Sequence, residues 1–291
     1  MKTKFNLHKK GWQFCVLVML LSCIPYYFVI NDNSSDSSWT LVLMWIPALA
    51  AIIMRLYHKE GLFTGVSWNP LKDWKWLVFA AFIPLLIEIS TLLLTLLFNA
   101  ATLKEGFISI ENGNVSVKGV AMIFGATPQP WYAFIGNYAL SYFIGTLLYS
   151  LLFAFGEEYG WRGYLQQKWA SDTSLKGFIA IGIVWGLWHL PAILLGHNYP
   201  EYPIIGGFIL MPLLCTIFSI VFGIAMLRKN VIWIAVVFHG ALNISSDVSN
   251  TAFVASSLNR PINDFIWTFL WLLTAVLFWF KIKKKKTQTL S

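Results

Sequence analysis

The chain has 291 residues, 57% of them hydrophobic and only 12% charged, with fifteen tryptophans and a formal net charge of +8. Soluble domains usually carry about 45–50% apolar and about 25% charged residues, so this composition excludes an ordinary soluble enzyme and requires an integral membrane protein. The basic excess is not a nucleic-acid signal, because it clusters at the ends of apolar runs.

Eight such runs approach the roughly 20 residues that cross a hydrocarbon core. They lie near 11–31, 39–57, 75–99, 138–164, 177–196, 205–227, 231–254 and 262–280. The expected fold is all-α, a polytopic membrane helix bundle of about eight transmembrane helices. The first run continues through Tyr26, Tyr27 and Phe28 without a small-residue cleavage pattern, which makes it a retained span and not a secretory signal. Cys15, Cys23 and Cys215 fall in spans with no metal-like spacing and read as packing residues. The stretch 61–76, with Gly65, Pro70 and several tryptophans and lysines, suits an interfacial hinge or anchor. Glu88 lies deep in the third run and reads as a carboxyl hydrogen-bonded to a neighbouring helix. The polar, glycine-rich loop 103–129 contains β-prone pieces such as Val115–Val117.

Eight spans place both termini on one side. Seventeen lysines and arginines then fall on that side, against Lys104, Lys118 and Arg260 on the other. By the positive-inside rule both termini face the cytoplasm, and the protein belongs in the cell membrane. The run from Lys281 to Lys286 is a basic anchor facing anionic lipid.

The fourth run carries Glu157, Glu158 and Arg162. A charged residue at a helix centre costs roughly 2.5–3.5 kcal/mol, so three within six residues demand a reason. Glu158 and Arg162, at i,i+4, can neutralise each other on one helix face. Glu157 is left for another task, unless this stretch is simply the wet mouth of a helix. In the fifth run His189 lies about 20 Å along the helix from Lys176, one turn beyond Trp185, and Pro191 deprives the Leu187 carbonyl of its usual donor. The seventh run places His239 and Asn243 on one face, with Asp247 a turn further and Gly240 allowing a close neighbour. Singly, each histidine also fits a helix-bridging role. Together, a carboxylate to take a proton from water, an imidazole to hold that water, and donors for an oxyanion are the parts of an amide hydrolase.

These three motifs, Glu157-Glu158-x-x-x-Arg162, Trp185-x-x-x-His189 and His239-x-x-x-Asn243, resemble the CAAX-protease and bacteriocin-processing family of intramembrane endopeptidases, the family of the Ras-converting prenyl protease. Trp185 departs from the phenylalanine usual at that position. The resemblance implies Glu157 as general base, His189 as its helper in activating water, His239 and Asn243 as oxyanion donors, and Glu158, Arg162 and Trp185 as structural support. It implies a catalytic helix bundle over 130–256, preceded by the helices and loops of 1–129 and followed by a last helix and basic tail over 257–291. The implied substrate is a peptide or protein at the membrane, in peptide processing or bacteriocin immunity. The expected chemistry uses no cofactor. The alternative is zinc on Glu157, His189 and His239, although no His-Glu-x-x-His pattern occurs. The partners are the substrate and the lipid bilayer, with no nucleic acid. A non-enzymatic immunity protein and an ion-coupled transporter are the rival readings.

Overall fold

The computed structural model describes residues 8–34, 37–171 and 174–288, with the side chains of 247–250 and 281–288 outside that description. Lys2, Lys4 and the side chains of Asp247 and the basic run from Lys281 therefore lie outside the described residues. Among the described residues the protein is all-α apart from one small sheet. Its helices are α1 (Lys9–Asp32), α2 (Trp39–Leu43), α3 (Ile46–Tyr57), α4 (Trp74–Leu97), α5 (Trp131–Tyr149), α6 (Phe155–Gly160) and α7 (Gln166–Trp169). They continue as α8 (Leu175–Trp188), α9 (Leu190–Leu194), α10 (Pro203–Ile205), α11 (Met211–Lys229), α12 (Ile232–Ala252) and α13 (Arg260–Gln288).

Among the described residues, six helical stretches are long and apolar enough to cross a membrane, and Leu175–Trp188 and Ile232–Ser246 are shorter apolar helices. The eight expected runs are thus all helical, but the fifth does not continue to 196. Pro191 has no N–H for the Leu187 carbonyl, so α8 stops at Trp188 and α9 begins one residue later. The fourth run is one continuous helix from Trp131 to Trp169, and it contains two π-turns, Ser150–Ala154 and Trp161–Leu165. They bracket α6, the helix of Glu157 and Glu158. Such turns leave carbonyls without their usual donors, and they recur at functional sites.

The chain divides into two compact units. The first comprises Met1–Trp74, Leu152–Val236 and Leu272–Ser291. Within it, two glycine pairs let helices approach backbone to backbone. A side chain on Gly156 would meet the Met44 carbonyl oxygen at 2.5 Å, and one on Gly160 the Pro47 carbonyl carbon at 2.6 Å, so α6 lies directly on the α2–α3 join. Gly182 and Gly186 likewise bring α8 onto the backbone of Thr216 and Pro212 around the start of α11. Both contacts fix helices that carry motif residues. The segment expected as a hinge or anchor is tied down: the Ser67 N–H donates to the Asn230 carbonyl (2.8 Å), the Trp233 indole to the Trp68 carbonyl (2.8 Å), and Lys229 pairs with Asp73 (2.7 Å).

The second unit comprises Lys75–Leu151 and Val237–Trp271. Here the Tyr142 hydroxyl donates to the Ala81 carbonyl (2.6 Å) and Asn263 to the Thr95 hydroxyl (3.0 Å), joining α5 and α13 to α4. Glu88 is buried in α4. The loop 103–129 contains β1 (Ile108–Glu111) and β2 (Asn114–Val117), paired antiparallel, with β3 (Gln129–Pro130) against β2. Asn112 and Gly113 both have positive φ (49° and 78°), as the two-residue hairpin turn requires. Phe107 and Val117 are buried with Ala252 and Phe253.

Candidate active site

Glu157 and Glu158 occupy α6, held between the two π-turns, and are 2% and 0% exposed. Arg162, in the second π-turn, is also fully buried. It donates from Nη1 to Glu158 Oε1 at 2.7 Å, so the expected i,i+4 ion pair forms. Its guanidinium lies 4.2 Å from the Trp185 ring centroid and 5.2 Å from that of Phe222 on α11. Stacking on aromatic faces stabilises a cation that water no longer reaches.

Trp185 projects from α8 and serves both acids. One face of its ring receives Arg162, while its indole N–H donates to Glu157 Oε2 at 2.6 Å. This bond fixes the Glu157 carboxylate, and a phenylalanine in the same place could not make it. The Trp185 carbonyl in turn accepts from His189 Nδ1 at 2.8 Å. A carbonyl can only accept, so the neutral imidazole carries its proton on Nδ1 and presents Nε2 as an acceptor. His189 caps α8 where Pro191 interrupts the helix, and it is half-buried, unlike the fully enclosed acids. The break that shortens the fifth span thus places the imidazole at a helix end.

Two further residues support this corner and have no counterpart among the motifs. The Tyr26 hydroxyl donates to the Trp188 carbonyl at 2.6 Å, and the Trp188 indole donates to Ser22 Oγ at 2.7 Å, tying α1 to the end of α8. Their sequence signal is a polar pair at i,i+4 in an apolar helix. Arg55, counted in sequence among the cytoplasmic charges, is buried on α3. It donates to the carbonyls of Gly61 (3.0 Å), Thr64 (3.2 Å) and Gly163 (2.6 Å), the last lying within the second π-turn.

At the rim of the same unit, Glu60 pairs with Lys10 (2.7 Å) and Lys168 (2.8 Å). Partial burial pushes the Glu60 carboxyl up, but the hydrogen bonds and charges of the two lysines outweigh it and hold it at about 2.

His239 and Asn243 belong to the second unit. There His239 is buried at 5% exposure, and Asn243 is half-buried and donates back to the His239 carbonyl at 3.1 Å. Gly240 brings α12 onto Ser150, as expected for a close helix neighbour. Among the described residues no three His, Cys, Asp or Glu side chains gather to hold a metal ion.

Residues 138–245 match the family described as type II CAAX prenyl endopeptidase Rce1-like. A protein of Methanococcus maripaludis named CAAX prenyl protease 2 is 34% identical over 125 residues, which is 40% of this chain and 45% of that protein. The chain thus spans less than half the length of this curated relative. No solved structure matches. Over residues 138–245, a stretch that includes Glu157, Glu158, Arg162, Trp185, His189, His239 and Asn243, the chain is similar to the Rce1-like CAAX prenyl endopeptidases.

Proposed function

We propose that this integral membrane protein is an endopeptidase that hydrolyses a peptide bond of a membrane-proximal peptide or protein with water activated by Glu157. The observation that carries the reading is the relay from Glu157 through the Trp185 indole and carbonyl to His189 Nδ1. It orients a buried carboxylate and fixes the tautomer of an imidazole, the two properties that a base and its helper need before water can be deprotonated.

In this mechanism Glu157 takes the proton of a water molecule held by His189 Nε2, and the oxygen attacks the scissile carbonyl carbon. His239 and Asn243, assigned by their motif, donate to the oxyanion of the tetrahedral intermediate. Glu157 then returns its proton to the leaving nitrogen. Glu158 with Arg162 holds α6 in place and takes no part in proton transfer. The similarity to a CAAX prenyl protease makes a lipid-modified peptide one candidate substrate, processing of an unmodified peptide another. The stretch 130–256 is the catalytic part, and the lysine and arginine bias assigns both termini to the cytoplasmic side of the cell membrane.

Incubating the purified chain with prenylated and unmodified peptide mixtures, with and without a strong chelator, and reading new termini by mass spectrometry tests the proposal. Chelator-resistant cleavage is expected. Cleavage abolished by chelator and restored by zinc would replace the metal-free mechanism, and absence of cleavage of any peptide would favour a binding role.

A further inference from the structure

The second unit contains a segment whose surface neither the helices nor the proposed chemistry explains. Between Gly119 and Gly156 there is no Asp, Glu, Lys or Arg. This uncharged run begins well before α5 starts at Trp131, inside what reads as an extramembrane loop. The backbone of its middle part is bonded to α5 side chains. The Ile123 N–H donates to Ser141 Oγ (2.9 Å), the Phe124 N–H to Asn137 Oδ1 (3.2 Å), and Asn137 Nδ2 to the Gly125 carbonyl (2.9 Å).

These bonds set the level of the segment. Asn137 and Ser141 lie six and ten residues into α5, about 9 and 15 Å along its axis from Trp131. The chain from Ile123 to Gly125 therefore runs back beside the second and third turns of a helix that starts a membrane-crossing stretch. On that helix apolar side chains are exposed from the first turn, with Trp131 at 59%, Tyr132 at 65% and Ile135 at 57%. Phe124 is 72% exposed and Ile123 48%. Two large apolar side chains are thus presented outward beside the second and third turns of a span that opens with aromatic residues, on a backbone whose Ile123 and Phe124 N–H groups and Gly125 carbonyl are met by Ser141 and Asn137. Irregular backbone at membrane depth needs that kind of local satisfaction, and aromatic residues favour the interface.

We propose that the segment around Ile123 and Phe124 is embedded in the interfacial region of the bilayer, its occupant being lipid and not water or another protein. The apolar surface of α5 continues onto it without a charged break. Asn137 and Ser141 are then the polar groups that allow a loop to lie at that depth, and the hairpin turn at Asn112–Gly113 is the part that remains in water.

The test uses the full chain with Cys23→Ser, leaving the buried Cys15 and Cys215, and single cysteines at Phe124, Ile123 and Glu111 carrying an environment-sensitive fluorophore. In liposomes containing spin-labelled lipid, the labels at 123 and 124 should be quenched by lipid and be several-fold less accessible to iodide than the label at 111. Iodide quenching at 123 and 124 equal to that at 111 would overturn the proposal. Protection from both lipid and iodide would also overturn it, by showing protein there. Labelling two positions guards against misfolding at one, and thermal unfolding matched to the unlabelled chain certifies each sample.

Discussion

Two groups of charges in the same unit behave oppositely. At the core, Glu158 and Arg162 are fully buried, four residues apart on one helix, and enclosed by Trp185 and Phe222. At the rim, Glu60 joins Lys10 and Lys168, partners 50 and 108 residues away, with all three side chains partly solvated. The buried pair gains strong attraction at a desolvation cost that only a complete set of neighbours offsets, whereas the rim cluster loses little when opened. Position, not the number of ion pairs, decides what each is worth.

Breaking one partner of each group sharpens that contrast. Arg162→Leu leaves Glu158 buried without its cation and should cost about 3–5 kcal/mol of stability, seen in unfolding in detergent or lipid. Adding Glu158→Gln should recover much of it; no recovery would mean that Arg162 matters chiefly for packing. Next in size is Trp185→Phe, which keeps the ring under Arg162 but removes the indole donor to Glu157. A hydrogen bond to a charged group is worth about 1.5–3 kcal/mol, so kcat should fall about ten- to a hundredfold. Stability should change far less than with Arg162→Leu. Gly186→Ala forces a methyl into the Pro212 backbone and should cost about 1–3 kcal/mol, whereas Gly136→Ala on α5 meets nothing within 4 Å and should be tolerated. Smallest is Glu60→Gln, expected at about 1 kcal/mol or less and weakened by salt. The Glu60 carboxyl titrates lower in the folded protein than when unfolded, so its contribution is present above its ordinary range. It fades as pH falls from about 4.5 towards 2. The difference between wild type and Glu60→Gln should narrow over that interval, and a gap that persisted at its lower end would disprove the pairing.

The same contrast explains what could be read from the sequence. The helices were legible because apolar runs near 20 residues dominate the chain, and the Glu158–Arg162 pair because i,i+4 spacing is local. Pro191 announced a lost hydrogen bond, but not that the helix would stop at His189. The Asn112-Gly113 turn carried an available hairpin signal beside Val115–Val117. Arg55 and Glu60 were not legible as buried or paired, because their partners are remote side chains or carbonyls exposed by π-turns that no local pattern announces. The indole bond to Glu157 was equally hidden, since Trp185 reads as one aromatic among many until α8 is placed beside α6.

The adjacent glutamates supply the most direct test. Glu157→Gln and Glu158→Gln would be compared for peptide cleavage and for unfolding in one membrane mimetic. General-base catalysis contributes about 10²–10⁴-fold, so Glu157→Gln should lose activity by that factor with its unfolding transition nearly unchanged. Glu158→Gln should instead unfold more readily and, below its transition, retain cleavage. Activity surviving in Glu157→Gln, or lost only through unfolding in both, would contradict the division of labour between a catalytic and a structural carboxylate.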